Sequence, residues 1–368
     1  MPICRNGPRI SANSNAGHRV RTLGSHTMQH LTLWHYRRAL RAPLPLHTRQ
    51  QSLVLPVRDG LLLEWRDGAR HHWTEIAPLP LFSRESLANA QAVVLGLARS
   101  TPINDYNQLA EQLRDPARDL PVSVQYGIEA GLAWLVQANE PPGSESFSPS
   151  LCGLALAGST KTSPYRVVKQ KIDGVDFNRD CRGLIAAVAQ LAPGQRLRID
   201  CNGSWSLAQA IAALSPLASA RIDYVEEPLR TMDLDQCQAL HRATGLSLAL
   251  DESLRAAHGD FVGTGLAQLT TGRLRACGIS ALVIKPMLTG FIATEALIQF
   301  CARCNVQAVL SSAFESSVAL NHYWQLAQQH QLSAAQGLDT AHFFADSQTA
   351  SLGTANVPAG LTHVADLF

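Results

Sequence analysis

The sequence predicts an α/β chain in which a (β/α) barrel follows a smaller α+β unit. Three observations predict it. From residue 151 onward, apolar strand-like runs recur at residues 151–157, 165–171, 197–201, 222–225, 246–250, 281–284, 306–310 and 334–338, most of them separated by helical stretches. Continuous apolar runs with helical crossovers are how buried parallel strands read. Before residue 140 the strand-like runs lie closer together and suit antiparallel pairing, and Glu140-Pro-Pro-Gly-Ser144 divides the two textures. A doubly wound open sheet is the competing arrangement, but the chain carries no G-x-G-x-x-G or Walker-type glycine loop to point to a nucleotide fold.

Taken in order, residues 1–27 are rich in Arg, Ser, Asn and Gly, and the first acidic residue of the chain is Asp59. They read as a disordered extension, with translation starting upstream of Met28. A transit-like peptide and a nucleic-acid-binding arm are the alternatives. Residues 31–36, 51–55, 61–65 and 72–76 fit a small antiparallel sheet of about three strands, the third run preceded by the turn signal Asp59-Gly60. A stiff A-P-L-P-L loop follows at residues 77–81. Ser83 is a plausible N-cap for an amphipathic helix running to Leu97, and residues 122–137 read as a second helix. Residues 28–135 are thus expected to form one α+β unit. In the second part, helices are expected at residues 177–191 and 207–217 among others.

Bulk properties narrow the function. A chain of 368 residues with 46% hydrophobic residues can bury a sizeable core. A net charge of +2 with only 16% charged residues is no electrostatic footprint for nucleic acid or an anionic membrane, and no apolar run is long enough to span a bilayer. Neither nucleic acid nor a membrane is an expected partner; the oligomeric state stays open, a monomer being compatible. The eight cysteines are scattered without the spacing of a disulfide framework, and Cys301 and Cys304 lie in an apparent helix. They read as packing residues of a protein in a reducing, cytoplasmic compartment.

Chemistry collects at the strand ends, where barrels of this kind place their active sites. Only four of the 31 basic residues are lysines: Lys161, Lys169, Lys171 and Lys285. Arginine cannot serve as a base near neutral pH, whereas a lysine can be tuned to do so. Lys169 and Lys171 share a strand face, and Lys285 closes the run A-L-V-I-K. Between them, successive runs end in Asp200 and Asn202, in Glu226-Glu227 and in Asp251. The 26- and 25-residue gaps from Asp200 to Glu226 to Asp251 each fit one strand plus one helix, which puts three carboxylates side by side at the barrel mouth. Three hard oxygen ligands with open positions suit Mg²⁺, Mn²⁺ being the alternative ion. Residues adjacent on a strand face opposite ways, so one of Glu226 and Glu227 points inward; local sequence leaves open which. A metal between lysines suggests abstraction of a proton α to a carboxylate, with Lys169 and Lys171 lowering each other's pKa. Arg198 has the strand parity of Asp200 and is expected to point inward, towards an anionic substrate group or into a barrel-core ion pair.

The ordered set K-x-K, D-x-N, E-E-P, D-E-S and K-P resembles the enolase superfamily, in its muconate-lactonizing subgroup. Further segments, T-E-I-A-P-L-P-L-F-S at 74–83, V-I-K-P-M-L-T-G at 283–290, S-S-A-F-E-S-S at 311–317 and G-L-D-T at 337–340, are most similar to the short bacterial o-succinylbenzoate synthases of menaquinone biosynthesis. The resemblance covers residue 30 or so to the end. It implies an enolase-like architecture: a capping domain (28–135), a modified (β/α)7β TIM-like barrel (136–342) and a tail (343–368) returning to the cap. It implies Mg²⁺ on Asp200, Glu226 and Asp251, resolving the paired glutamates towards the first. It implies a hydro-lyase that forms o-succinylbenzoate from 2-succinyl-6-hydroxy-2,4-cyclohexadiene-1-carboxylate by syn dehydration. Lys171 would be base and then acid, Lys169 its tuning neighbour, and Lys285 a cation steadying the dienolate. Ser311, Ser312 and Gly337 match ligand-contacting positions; with Arg198 and Asn202 they complete the expected substrate site. The alternatives are an N-acylamino acid racemase or dipeptide epimerase of the same subgroup, and, in a different class, a non-catalytic binding protein with an Arg-rich arm.

Overall fold

The structure is a computed structural model and describes residues 30–48, 51–100, 119–137, 147–155, 164–172, 174–218, 220–255, 269–346 and 357–367. The extension at residues 1–27 and Lys161 lie outside the described residues.

The first unit is an antiparallel sheet covered by two helices. Strands β1 (His30–His47), β2 (Ser52–Asp67) and β3 (Arg70–Ile76) follow one another, and β11 (Thr362–Asp366) adds to the free edge of β1, giving the order β11-β1-β2-β3. The sheet therefore has four strands, not three, because the far end of the chain supplies the outermost. The runs at 51–55 and 61–65 are one strand, and Asp59-Gly60 sits inside it. Gly60 is needed there for close approach, since a Cβ would lie 2.4 Å from the ring of Tyr36. The turn falls instead at Gly68, whose φ of 60° suits glycine.

Helix α1 (Leu87–Ser100) starts later than expected. Ser86 caps it, accepting the Asn89 N–H, whereas the Ser83 hydroxyl accepts the Leu79 N–H and so braces the preceding loop. Ala90, Val94 and Leu97 of α1 pack with Val124, Ile128, Leu132 and Leu135 of α2 (Val122–Gln137) against Leu31, Leu33, Leu61, Leu63 and Trp65 of the sheet. Helix α2 also turns Tyr126 and Ala130 into the barrel's core, which is why it is apolar on more than one face.

The second unit is a closed parallel ring. Strands β4 (Cys152–Ala155), β5 (Val167–Lys171), β6 (Arg196–Asp200), β7 (Ile222–Glu226), β8 (Leu248–Leu250), β9 (Ile279–Ile284) and β10 (Gln307–Leu310) pair in sequence order. The expected eighth run contributes two bridges, Leu151 with Gln336 and Ser311 with Gly337, which join β4 to β10. Period-2 alternation divides the strands between two cores. Tyr224, Ala249, Ala281, Val283 and Val309 fill the interior. Leu197, Ile199, Val225, Leu248, Leu250, Leu282, Ile284 and Leu310 face the outer helices.

Those helices are α3 (Phe177–Ala189), α4 (Leu207–Leu214), α5 (Leu234–Thr244), α6 (Thr271–Ala276), α7 (Pro286–Thr289), α8 (Phe291–Cys304) and α9 (Ser317–Gln329). Local signals set several ends. Asp176, Asp233 and Ser316 are N-caps, Ser206 and Gln209 form a capping box, and Gly245 at φ 70° closes α5. Cys301 packs in the outer core. Among the described residues no helix is long and apolar enough to cross a membrane.

Two histidines lie in the seam between the units. His72 of β3 stacks on Trp134, and His322 of α9 stacks on Phe291 with its Nδ1 2.7 Å from the Tyr126 hydroxyl. Burial pushes His72 down to about 3, helped by the charges of His322, His71 and Arg70. Burial pushes His322 down to about 4, against the opposing carboxylate of Glu295. Both are neutral when folded, while the unfolded chain titrates near 6.5. Below that value the unfolded state binds protons that the folded state refuses, so stability is full above about pH 6.5 and is lost as pH falls towards 4. Both side chains keep some solvent contact, which reduces the effect. The expected loss is about 2 kcal/mol between pH 7 and pH 5. Urea midpoints measured against pH should show it, and a His72→Gln/His322→Gln variant should flatten the slope.

Candidate active site

Each strand-end side chain owes its direction to parity within its strand. Lys171, Asp200 and Glu226 occupy one row across β5, β6 and β7, and all three point into the barrel mouth. Lys169 lies one pleat deeper, opposite Arg198. Its ammonium reaches up to both Glu226 oxygens at 2.7 and 2.9 Å and to Asp200 Oδ2 at 2.9 Å. Across the mouth, Lys285 Nζ is 2.5 Å from Asp251 Oδ2 and 3.8 Å from Glu252 Oε1. Lys171 forms no ion pair with any described residue.

Electrostatics follow from burial. Burial pushes the Glu226 carboxyl upward, with Asp200 and Asp251 adding to it and Lys169 opposing. Burial alone would raise Asp200 too, but Lys169, Lys171 and Lys285 hold it below the usual carboxylate range. Lys169 is desolvated, yet Asp200 and Glu226 more than offset that and hold it well above the ordinary lysine value. It is therefore locked as a cation.

The two adjacent glutamates are told apart here. Glu226 faces the lysines. Glu227, at φ 43°, turns to the other side of the strand and accepts the N–H groups of Asp251 and Ser253 at 2.9 and 2.8 Å and the Ser253 hydroxyl at 2.8 Å. It thereby fixes the backbone that presents Asp251. Asn202, at φ 45°, donates its backbone N–H to Asp200 Oδ1 at 3.3 Å. Left-handed conformations in residues other than glycine carry strain and concentrate at functional sites.

Three buried carboxylates on neighbouring strand ends are a donor set that fits a hard divalent ion. Among the described residues no trio of His, Cys, Asp or Glu side chains is closed up into a ready cage. The reason is visible in the contacts: the ammonium groups of Lys169 and Lys285 stand between the carboxylates, where positive charge is required.

Other expected site residues divide. Ser311 and Gly337 meet at the bridge closing the barrel, and a Cβ on Gly337 would lie 2.8 Å from Ser311 Oγ, so only glycine lets those strands meet. Ser312, one residue on, faces away. Its hydroxyl donates to Glu315 and accepts from Phe314 N–H and Thr340; it is a structural group. Arg198 points into the barrel, as its parity requires, but turns from the carboxylates towards the opposite end. There its guanidinium pairs with Asp223 at 2.9 Å, donates to the Ala335 carbonyl at 2.6 Å and lies 4.5 Å from the Tyr224 ring centre. The ion pair won because Asp223, on the next strand, offers a half-buried partner that the local sequence does not announce. Arg198→Met is accordingly expected to cost about 3 kcal/mol in an unfolding titration and to leave KM for an anionic substrate unchanged.

Sequence reasoning missed two neighbours of the site. Glu227's role is hidden because it depends on where the β8 backbone passes. Phe82, in the loop after β3, brings its ring centre 5.9 Å from Lys285 Nζ, a contact across 203 positions of sequence.

Comparison with known proteins bears on the family. The family model described as enolase C-terminal domain-like matches residues 154–361, and that described as MenC, N-terminal domain, matches residues 28–135. The chain is 33% identical over 325 residues to the o-succinylbenzoate synthase of Pectobacterium atrosepticum, covering 85% of this chain and 90% of that protein. It is 33% identical over 305 residues to the synthase of Salmonella arizonae, covering 80% and 86%. Among solved structures, o-succinylbenzoate synthase from Thermosynechococcus elongatus BP-1, complexed with Mg in the active site, superposes with a TM-score of 0.61 at 25% identity, covering 84% of this chain and 92% of that one. The L-Ala-D/L-Glu epimerase from Bacillus subtilis superposes with a TM-score of 0.67 at 15% identity, covering 87% and 91%; that likeness is one of fold alone.

Proposed function

The chain belongs to the o-succinylbenzoate synthases of the enolase superfamily, and from that premise we infer how its own residues carry out the dehydration. It is a hydro-lyase that converts 2-succinyl-6-hydroxy-2,4-cyclohexadiene-1-carboxylate to o-succinylbenzoate. The observation that carries the residue assignment is the split between the two lysines of β5. Lys169 is clamped as a cation by Asp200 and Glu226, whereas Lys171, on the same face, has no ion-pair partner among the described residues.

Lys171 is the base. It takes the proton α to the ring carboxylate onto Nζ and then hands it to the departing hydroxyl on the same face, so that water leaves and the ring becomes aromatic. Lys285, across the mouth, stays charged and steadies the negative charge that spreads over the ring. Asp200, Glu226 and Asp251 would hold Mg²⁺. What the bound ion supplies is positive charge at the substrate carboxylate, which eases removal of the α-proton.

With Lys171 neutral, as a base must be, the ammonium groups of Lys169 and Lys285 and a bound divalent ion would outweigh Asp200, Glu226 and Asp251 by one positive charge. That suits an anionic substrate; the substrate brings one ring and one succinyl carboxylate. Ser311 and Gly337 at the closing bridge, with Asn202, line the same end of the barrel and are the substrate contacts we propose. The direct test is the rise in ultraviolet absorbance on aromatisation, followed with purified protein, substrate and Mg²⁺. Absence of turnover by folded, metal-loaded protein would overturn the reading.

A further inference from the structure

Outside the reacting centre, a group of buried polar side chains lies where the cap meets the ends of β9 and β10. Arg58 of β2 is 2% exposed, and its guanidinium donates to main-chain carbonyls of Asp59, Ala77 and Pro78 in the cap at 3.0, 2.6 and 2.8 Å, and to Phe314 in the barrel at 3.2 Å. Glu75 of β3 is fully buried. One of its oxygens accepts the Ser316 N–H at 2.9 Å, and the other accepts the Ser316 hydroxyl at 2.6 Å and the Ala319 N–H at 3.1 Å. The Tyr36 hydroxyl donates to the same carboxylate. Glu75 therefore seats a negative charge from the cap on the N-terminus of α9, where the helix dipole favours it.

The segments held this way border the site. Phe314, at φ 62°, lies in the turn just after Ser311, and Leu81, at φ 69°, immediately precedes Phe82, the ring beside Lys285. The Ala77 N–H also reaches Met287 Sδ at 3.3 Å, two residues past Lys285. The two turns, one from each unit, pack in one hydrophobic cluster through Leu79, Leu81, Phe82, Ala313 and Phe314. The Arg58 guanidinium bonds the Phe314 carbonyl of one and the Ala77 and Pro78 carbonyls that lead into the other. Strain of this kind persists only where the surroundings over-determine it.

We propose that Arg58 and Glu75 form a latch that positions the cap loop at Phe82 and the strand-end turn at Phe314 against each other, and so sets Lys285 and Ser311 for the dehydration. Neither residue touches the reacting atoms; both are positioning residues. The inference rests on the functional reading above. It differs from simple adhesion between the units, for which the structure offers a comparison. Glu129 of α2 accepts the Phe291 and Ile292 N–H groups at the N-terminus of α8, both at 3.1 Å.

The test compares Arg58→Met, Arg58→Lys, Glu75→Gln and Glu129→Gln with wild type by three readouts: thermal unfolding, amide exchange over residues 77–86 and 311–316, and kcat and KM with the cyclohexadiene substrate and Mg²⁺. The expected result is faster exchange in both segments and a fall of about 10- to 100-fold in kcat/KM for Glu75→Gln and Arg58→Met, mostly in kcat. Arg58→Lys should recover part of the loss, because lysine keeps the charge and loses the fork. Glu129→Gln should lower the melting temperature alone. Folded Glu75→Gln or Arg58 variants with wild-type exchange and kcat/KM would overturn the latch, as would Glu129→Gln producing the same kinetic loss. If Arg58→Met does not fold, Arg58→Lys and Glu75→Gln decide by the same criterion. An inactive wild type would overturn the functional reading instead, and exchange would still decide whether the latch exists.

Discussion

Lys171→Ala is expected to lower kcat by about 10²- to 10⁴-fold, the span of a lost general acid–base, with the protein still folded and still binding Mg²⁺. The residue makes no ion pair with a described residue, and although its charge helps to hold Asp200 ionised, its removal leaves neither Asp200 nor Glu226 without a cation. Asp200 keeps Lys169 at 2.9 Å, and Glu226 keeps it at 2.7 Å. The measurement is steady-state aromatisation beside calorimetric metal binding. The contrast with Lys169→Ala is the informative part. That change strips Asp200 and Glu226 of the cation between them, so it should weaken folding or metal binding together with turnover. Lys171→Ala should separate the two. Wild-type-like turnover in Lys171→Ala would remove it as the base.

Metal removal is expected to have an effect at least as large on activity and a small one on the fold. Protein treated with EDTA should show no measurable aromatisation and regain it on addition of Mg²⁺. Its circular dichroism and melting temperature should change little, because Lys169 and Lys285 already compensate Asp200, Glu226 and Asp251. Without those ammonium groups, three buried carboxylates would repel one another and metal loss would destabilise the barrel. Glu226→Gln sharpens the point. It should abolish metal-dependent turnover, and it should cost stability by leaving Lys169 with Asp200 alone. A chelated protein that kept its activity would exclude the metal role; one that unfolded would show that the lysines do not hold the carboxylates in place.

The kinetic and structural predictions rest on different sides of one division. Strand existence and order in the barrel were legible in the sequence, because buried parallel strands are continuous apolar runs and each ends in a polar residue at the mouth. The 25- and 26-residue spacings place Asp200, Glu226 and Asp251 on consecutive strands before any coordinates are known. Strand parity likewise sends Lys169 and Lys171 to one face. Parity is a property of the local backbone, so sequence alone determines it.

What parity leaves open is which partner an inward side chain finds, and only packing decided that. Arg198 and Asp200 both point into the barrel, yet Arg198 bends towards Asp223 and the Ala335 carbonyl while Asp200 meets a lysine. Ser311 and Ser312 are adjacent serines, and the parallel bridge at Gly337 puts one at the closure and the other into the Glu315 network. The distinction between Glu226 and Glu227 depends on where the next strand's backbone passes, and the roles of Phe82, Glu75 and Arg58 depend on how the cap lands on the barrel. These are contacts between groups far apart in the chain. Their free energy comes from burial and from satisfying buried polar groups, and neither is written in any local run of residues.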